Sequence, residues 1–427
     1  MTNIYIHTSG CSHNFADSEQ MAGLLKQAGF DIVDNIEDAY VVLFNTCTVK
    51  GPSEVAFFHR LESTRQKYPT KIIVVAGCIP QADPHKLKGY PVVGTNQIHK
   101  IVEVVEEALH DNRIQLLESG ELPPLNLPRV RKSPCTYIIP ISRGCLGACS
   151  FCKAKFARGN LVSYPIEDIR KEVEIALKEG AKEIWLTSQD TSCYGFDLDT
   201  NLAKLLNEVT SVFGNFRIRV GMMNPNHVTK FKSELLDAFK NPKVYQFMHL
   251  PVQSGSNEVL KKMCRSYTAE EFINLVYEAR LAIPDMTIAT DIIAGFPGET
   301  EEQYWETQNL LRKVMPDVVN LSRFWPRPGT LAAKMGPLPG EIVKHRSKVL
   351  TGIYHSIARM QNERWLGWEG EILVNEKGKE LGQWIGRNDS YKPVIVEGDY
   401  SLGQRLRVKV NRVTSFDLRG KTVNEVI

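Results

Sequence analysis

Three cysteines, Cys145, Cys149 and Cys152, stand close together in a chain of 427 residues. Their C-x3-C-x2-C spacing lets one short loop turn three thiolates onto a common centre. A zinc site would offer four ligands, usually as two separated C-x2-C pairs. Three close thiolates instead match three irons of a [4Fe–4S] cluster and leave the fourth iron without a protein ligand. An open iron can bind and reduce a small molecule. The plain alternative is a run of buried or disulfide cysteines, but intracellular cysteine clusters usually mark metal or redox sites.

Six further cysteines are spread along the chain. Apolar runs at 4–8, 41–45 and 72–76 read as strands, and helical patterns at 17–27, 52–66 and 98–109 separate and follow them. Gly29 caps the first helix and Pro52 opens the second. Cys11, Cys47 and Cys78 each follow one of the three strands. Ligands of open α/β sheets bind outside the carboxyl ends of strands, so these three predict a second iron–sulfur cluster. The small residues Gly10, Thr46, Thr48 and Gly77 would allow close approach of the backbone. Cys135, Cys193 and Cys264 are isolated and read as non-ligating.

The elements that must hold these loops divide the chain into segments. Residues 1–110 form a βαβ parallel-sheet domain. Residues 111–134, with three prolines and a glycine between 118 and 128, read as a linker. Its basic run Arg129-Val-Arg-Lys132 is either solvated or in contact with RNA phosphate. Residues 135–360 alternate strand and helix, with strands at 136–141, 183–187, 216–220, 246–250, 287–292 and 318–322. Helices read at 166–178, 202–212, 269–281 and 301–314. Six repeats predict an open, partial (βα)6 barrel with reactive residues at the carboxyl ends of its strands. Residues 365–427 carry short alternating runs at 370–374, 383–387, 394–396, 405–413 and 421–426, separated by turn signals, and read as a small antiparallel β-barrel. The fold class is therefore α/β.

Lys and Arg total 52 against 49 Asp and Glu, so bulk charge marks no nucleic-acid binder and any RNA contact must come from local patches. Arg405, Arg407 and Lys409 alternate on one strand face and are either solvated or RNA-binding. The amino terminus shows no secretory pattern, no apolar run is long enough to span a bilayer, and the carboxyl end carries no hydrophobic tail. The expectation is a cytoplasmic protein without a membrane partner.

Several stretches resemble the radical S-adenosylmethionine (SAM) methylthiotransferase family. They are Gly10-Cys-Ser-His-Asn14, Asn45-Thr-Cys-Thr-Val49, Glu183-Ile-Trp-Leu-Thr-Ser-Gln-Asp-Thr191, His249-Leu-Pro-Val-Gln-Ser-Gly255, Arg265-Ser-Tyr-Thr268, Asp291-Ile-Ile-Ala-Gly-Phe-Pro-Gly-Glu-Thr300 and Pro326-Arg-Pro-Gly-Thr330. The resemblance runs nearly end to end. It implies two [4Fe–4S] clusters, on Cys11, Cys47, Cys78 and on Cys145, Cys149, Cys152, a central radical SAM barrel and a C-terminal TRAM barrel. Gly10–Asn14 and Leu186–Thr191 resemble the archaeal and eukaryotic branch, which adds a methylthio group at C2 of N6-threonylcarbamoyladenosine beside the tRNA anticodon. A purine C2–H bond is too inert for acid–base chemistry, so a radical from SAM is required. The resemblance further implies Phe151, Ser188, Gln189, Gln253 and Arg265 as residues around SAM or substrate, and an electron donor and sulfur source that the sequence does not identify. A sister branch that modifies a ribosomal protein aspartate, and an RNA-binding scaffold with structural clusters, are the competing expectations.

Overall fold

The computed structural model describes residues 2–49, 51–118 and 122–423. Its N-terminal part runs β1 Asn3–Thr8, α1 Ser12–Gln27, β2 Asp31–Val33, β3 Val41–Thr46, α2 Gly51–Lys67, β4 Ile72–Gly77, α3 Cys78–Ala82, β5 Val92–Gly94, α4 Ile101–Leu109 and β6 Gln115–Leu116. The six strands pair in parallel in the order β2-β1-β3-β4-β5-β6. The central strands are continuous apolar runs because both faces are covered. Met21, Leu25, Ile101 and Val104 of α1 and α4 pack on one face, and Phe57 and Leu61 of α2 on the other.

Two expectations are corrected here. The sheet runs on past residue 110, because β6 lies inside the expected linker. At two residues, it is too short to carry a period. Helix α1 begins at Ser12, five residues before the expected start. Its first turns are polar, yet His13, Asn14 and Asp17 are fully buried. Tertiary contacts hold a face that periodicity would assign to solvent.

The central part runs β7 Thr136–Pro140, β8 Ser142–Arg143, α5 Ala154–Arg158, β9 Val162–Ser163, α6 Ile166–Lys178, β10 Glu183–Thr187, α7 Leu202–Ser211, β11 Arg217–Val220, α8 Pro225–Val228, α9 Lys232–Phe239, β12 Phe247–His249, α10 Asn257–Lys262, α11 Ala269–Ala282, β13 Thr287–Ala294, α12 Glu301–Val314 and β14 Val318–Arg323. Parallel pairing gives β7-β10-β11 and β12-β13-β14. The parallel bridges Ile218↔Val244 and Met222↔His249 join the two halves. The result is the open six-stranded barrel, filled by one hydrophobic core. Capping boxes on Thr268 and Thr300 start α11 and α12 where the sequence placed them. A helix the sequence reading left unassigned, α13 Gly340–Glu363, crosses β14 and reaches the last segment.

That last segment comprises β15 Glu369–Lys377, β16 Gln383–Arg387, β17 Pro393–Glu397, β18 Arg405–Val413 and β19 Leu418–Thr422, closed in the order β15-β16-β17-β19-β18. The expected antiparallel barrel needs one correction: β17 and β19 pair in parallel, through Val394↔Leu418 and Ile395↔Arg419. A closed ring of five strands cannot alternate direction throughout, so at least one pair must be parallel. Of the expected run at 421–426, residues 424–426 lie outside the described residues. The small barrel docks on the amino-terminal ends of the central strands. Asn375 Nδ2 donates to Glu183 Oε2 (2.7 Å), Gln246 N to Asp389 O (2.8 Å) and Lys392 Nζ to Asp317 Oδ1 (2.7 Å). Among the described residues, no helix is long and apolar enough to cross a membrane.

Candidate metal and cofactor site

β1, β3 and β4 are adjacent in the sheet, and the registers Thr8↔Asn45 and Asn45↔Ala76 keep their ends level. Cys11, Cys47 and Cys78 therefore arrive at one edge, around the buried Asn14. Asn14 Oδ1 is 4.0 Å from Cys11 Sγ and 3.7 Å from Cys78 Sγ, while Asn14 Nδ2 donates to Ser9 O and Thr46 O. Gly10 is in the left-handed region (φ +119°), and a Cβ there would lie 2.7 Å from Cys47 Cβ. Only glycine permits that approach.

The second triad sits on the loop between β8 and α5, at the carboxyl end of β7. Gly144 (φ +75°) makes the turn into Cys145, and a Cβ on it would stand 1.8 Å from Asn160 O. Gly147 N donates to Cys145 Sγ (3.1 Å). All six cysteines line one cavity of about 760 Å³. Burial pushes the Cys47 thiol up to about 12 and Cys149 up to about 11. Metal-free, these groups stay protonated at neutral pH, and loading must release their protons.

The residues present fit two iron–sulfur clusters. Soft thiolates suit them, and each triad has a cation beside it with an orphaned buried donor: Arg158 Nη1 at Cys11 and Cys78, Arg265 Nε at Cys149 and Cys152. Among the described residues, no three His, Cys, Asp or Glu side chains are grouped to hold a single metal ion. A cluster several atoms across sets its thiolates further apart than one ion does.

One carboxylate fixes the two triads relative to each other. Asp17 of α1, fully buried, accepts from Arg143 Nη2 (2.6 Å) and Arg158 Nη2 (2.8 Å). Arg143 immediately precedes the Gly144–Cys145 turn and Arg158 ends α5, so Asp17 grips both ends of the second cysteine loop. The helix that carries it begins one residue after Cys11. Burial pushes the Asp17 carboxyl up, but the guanidinium groups of Arg143 and Arg158 outweigh this and hold it at about 2. His13 beside it is driven well below its ordinary value, by burial first and then by Arg158, and is neutral. Lys153 pairs with Asp83, and Arg327 with Glu54 and Thr48, across the same junction.

Of the residues expected near SAM, all five line the cavity, but they differ in freedom. Gln189 is engaged: its Oε1 accepts from Gly144 N (2.8 Å) and its Nε2 lies 3.1 Å from His13 Nδ1. It ties the cysteine loop to α1. Ser188 Oγ accepts from Asp190 N. Gln253 is held at φ +73°, a strained backbone for a residue with a side chain. Arg265 lies over the rings of Phe151 and Tyr267 at 5.8 Å from each.

The expected RNA residues lie far from this cavity, on the small barrel, and their charge is largely compensated. Arg405 pairs with Glu371 and with Asn215 Oδ1 (2.6 Å), Arg407 with Glu369 (3.1 Å), and Lys409 stands opposite Glu369 in the ladder. Cys193 is less isolated than expected: it is buried with its thiol against that of Cys145. Sequence reasoning gave no role to Asn14, Asp17, Arg158, Trp185 and Arg219, although Asn14 and Trp185 stand in stretches quoted for the resemblance. A signal for the first two was a polar stretch in helical register directly after Cys11.

Comparison with known proteins agrees with this geometry. Residues 139–311 match the radical SAM superfamily, residues 3–94 the uncharacterized protein family UPF0004, and residues 356–423 the TRAM domain. A Pyrococcus abyssi protein named "Probable threonylcarbamoyladenosine tRNA methylthiotransferase" is 42% identical over 431 residues, covering 99% of this chain and 100% of its own. The human threonylcarbamoyladenosine tRNA methylthiotransferase is 39% identical over 433 residues, covering 99% of this chain and 74% of its own. The chain belongs to the threonylcarbamoyladenosine tRNA methylthiotransferase family. Among solved structures, the radical SAM methyltransferase TsrM from Kitasatospora setae superposes with a TM-score of 0.58 at 14% identity, over 78% of this chain and 75% of its own. That likeness concerns the fold alone. Family membership carries the SAM and [4Fe–4S] requirement that the six thiols fit.

Proposed function

We propose that this protein inserts a methylthio group at C2 of N6-threonylcarbamoyladenosine, next to the anticodon at nucleotide 37 of tRNA. The observation that carries the reading is the convergence of two cysteine triads, from separate sheets, on one cavity. Radical generation and sulfur supply are separate chemistries, and one cavity lets both reach the same carbon. The relatives described above are named for tRNA and not for a ribosomal protein.

Cys145, Cys149 and Cys152 would hold the cluster that binds SAM, and Cys11, Cys47 and Cys78 the other. When bound, the first cluster with SAM would supply radical chemistry at C2, and the second would supply sulfur. The chain's own residues position these chemistries. Arg265 presents a cation beside Cys149 and Cys152, suited to the carboxylate of SAM, with Phe151 and Gln253 on the same wall. Arg158 presents an unpaired N–H beside Cys11 and Cys78, suited to an anionic sulfur. Asp17 sets the separation. A cavity of this size accommodates a nucleoside. The cluster-bearing unit is taken as residues 3–116, the radical SAM barrel as 135–360 and the TRAM barrel as 365–423. A low-potential reductant and a sulfur donor complete the system, in the cytoplasm.

The test is anaerobic incubation of the iron-loaded protein with SAM, reductant, sulfide and tRNA bearing threonylcarbamoyladenosine, followed by mass spectrometry of the nucleosides. Conversion to the 2-methylthio derivative is expected. Threonylcarbamoyladenosine left unchanged while SAM is cleaved would refute the substrate.

A further inference from the structure

Among the described residues, one cation in the cavity has no acidic partner and no part in holding the cysteines. Arg219 lies on β11 directly beside Trp185 of β10 in the ladder, and both face the cavity. Its guanidinium lies 4.9 Å from the Trp185 ring, 5.4 Å from Phe247 and 5.5 Å from Tyr391. Tyr391 comes from the small barrel, which thus contributes one ring of the cage behind Arg219. Among the described residues, Arg219 makes no ion pair and no side-chain hydrogen bond. Asp291 of β13, a carboxylate that also lines the cavity, is engaged by His249 Nε2 and Asn320 Nδ2, each at 2.8 Å.

An aromatic cage fixes a guanidinium by its faces and leaves its N–H edge open. Such an edge is built for a carboxylate, which it can take in two parallel hydrogen bonds. Two ligands of the site carry one. SAM has its own cation in Arg265, the guanidinium that the Cys149 and Cys152 thiols feel. The other carboxylate belongs to the nucleoside: the threonylcarbamoyl group on N6 ends in the carboxylate and hydroxyl of threonine. In adenine, C2 and the carbon bearing N6 flank N1. With C2 facing the cysteines, the N6 side chain projects towards a different wall of the same cavity.

The geometry points to Arg219, caged by Trp185, Phe247 and Tyr391, as the residue that binds the carboxylate of the threonylcarbamoyl side chain and so selects this nucleoside over an uncharged N6-modified adenosine. The inference rests on the substrate proposed above.

The test measures affinity of the iron-loaded protein for two anticodon stem-loop RNAs by fluorescence anisotropy. One carries threonylcarbamoyladenosine, and the other its threoninamide analogue, which lacks the negative charge. A charge-assisted hydrogen bond predicts that the wild type prefers the acid by roughly 10- to 100-fold. Arg219→Gln is expected to bind both equally, with iron content confirming the fold, and Arg219→Lys to keep part of the preference. A wild type that binds acid and amide equally overturns the inference, whatever the variants do. So does an Arg219→Gln protein that keeps the preference, or one that instead loses SAM binding. Failure of the wild type to methylthiolate the acid-bearing tRNA is a separate result and falls on the proposed substrate.

Discussion

Replacing Asp17 by Asn removes the charge that holds Arg143 and Arg158 while keeping the size of the side chain. Both arginines are almost wholly buried, so the variant leaves two guanidinium groups without their counter-ion. Breaking a buried pair by removing one partner costs about 3–5 kcal/mol. The carboxyl itself gives a smaller independent figure. It sits at about 2 against 3.8 for the ordinary group, a gap worth about 2.4 kcal/mol. The sign follows from the direction. A depressed carboxyl stabilises the fold above about pH 3.8, and that contribution is lost as pH falls towards 2. Denaturant unfolding at pH 7 should show Asp17→Asn destabilised by a few kcal/mol, with the difference from wild type shrinking at acid pH. Because Asp17 grips both ends of the Cys145 loop from the helix behind Cys11, the chemistry should also uncouple. The ratio of methylthiolated nucleoside to 5′-deoxyadenosine should fall at least tenfold while SAM cleavage persists. A variant within about 1 kcal/mol of wild type at pH 7 and with the wild-type product ratio would refute the idea that this carboxylate sets the two triads relative to each other.

The other predictions concern the same junction. If each triad holds one cluster, Cys11→Ala and Cys145→Ala should each lower iron from roughly eight per chain to about four. Equal loss of both clusters from either variant would contradict two separate sites. Only Cys145→Ala should abolish SAM cleavage in the absence of RNA. Gly144→Ala places a methyl group 1.8 Å from Asn160 O in a left-handed backbone and should cost more than about 1–2 kcal/mol, read as reduced iron loading on the Cys145 triad. Cys264→Ala should keep full iron, because Cys264 is exposed and outside both triads; iron loss would assign it a ligand role.

The cysteine loop was legible because its three thiols are local. C-x3-C-x2-C closes on itself within one turn of chain, so spacing alone states the chemistry. The strand-end cysteines were legible for a related reason. Continuous apolar runs announce buried parallel strands, and parallel strands end at one edge, so Cys11, Cys47 and Cys78 could be brought together without knowing their contacts. The six barrel strands and the capped helices α11 and α12 followed from the same local signals. Short strands such as β5 and β6 did not, because two or three residues carry no period, and the parallel closure of the small barrel follows only from its ring of five.

What tertiary structure decided was pairing across distance. Asp17 with Arg143 and Arg158, Gln189 with Gly144 and His13, and Arg219 with Trp185, Phe247 and Tyr391 join residues up to 176 positions apart, none with a spacing that announces the partner. Arg405 and Arg407 looked like an open basic face until Glu369 and Glu371 were found opposite them. A charge on a strand face declares its sign in the sequence. Whether water, an acid or a ligand meets it depends on which strand the fold lays alongside. The sequence by itself therefore determined that two iron–sulfur centres could form. Burial and long-range ion pairing decided that the six thiols share one cavity, and left Arg219 in it without an acidic partner.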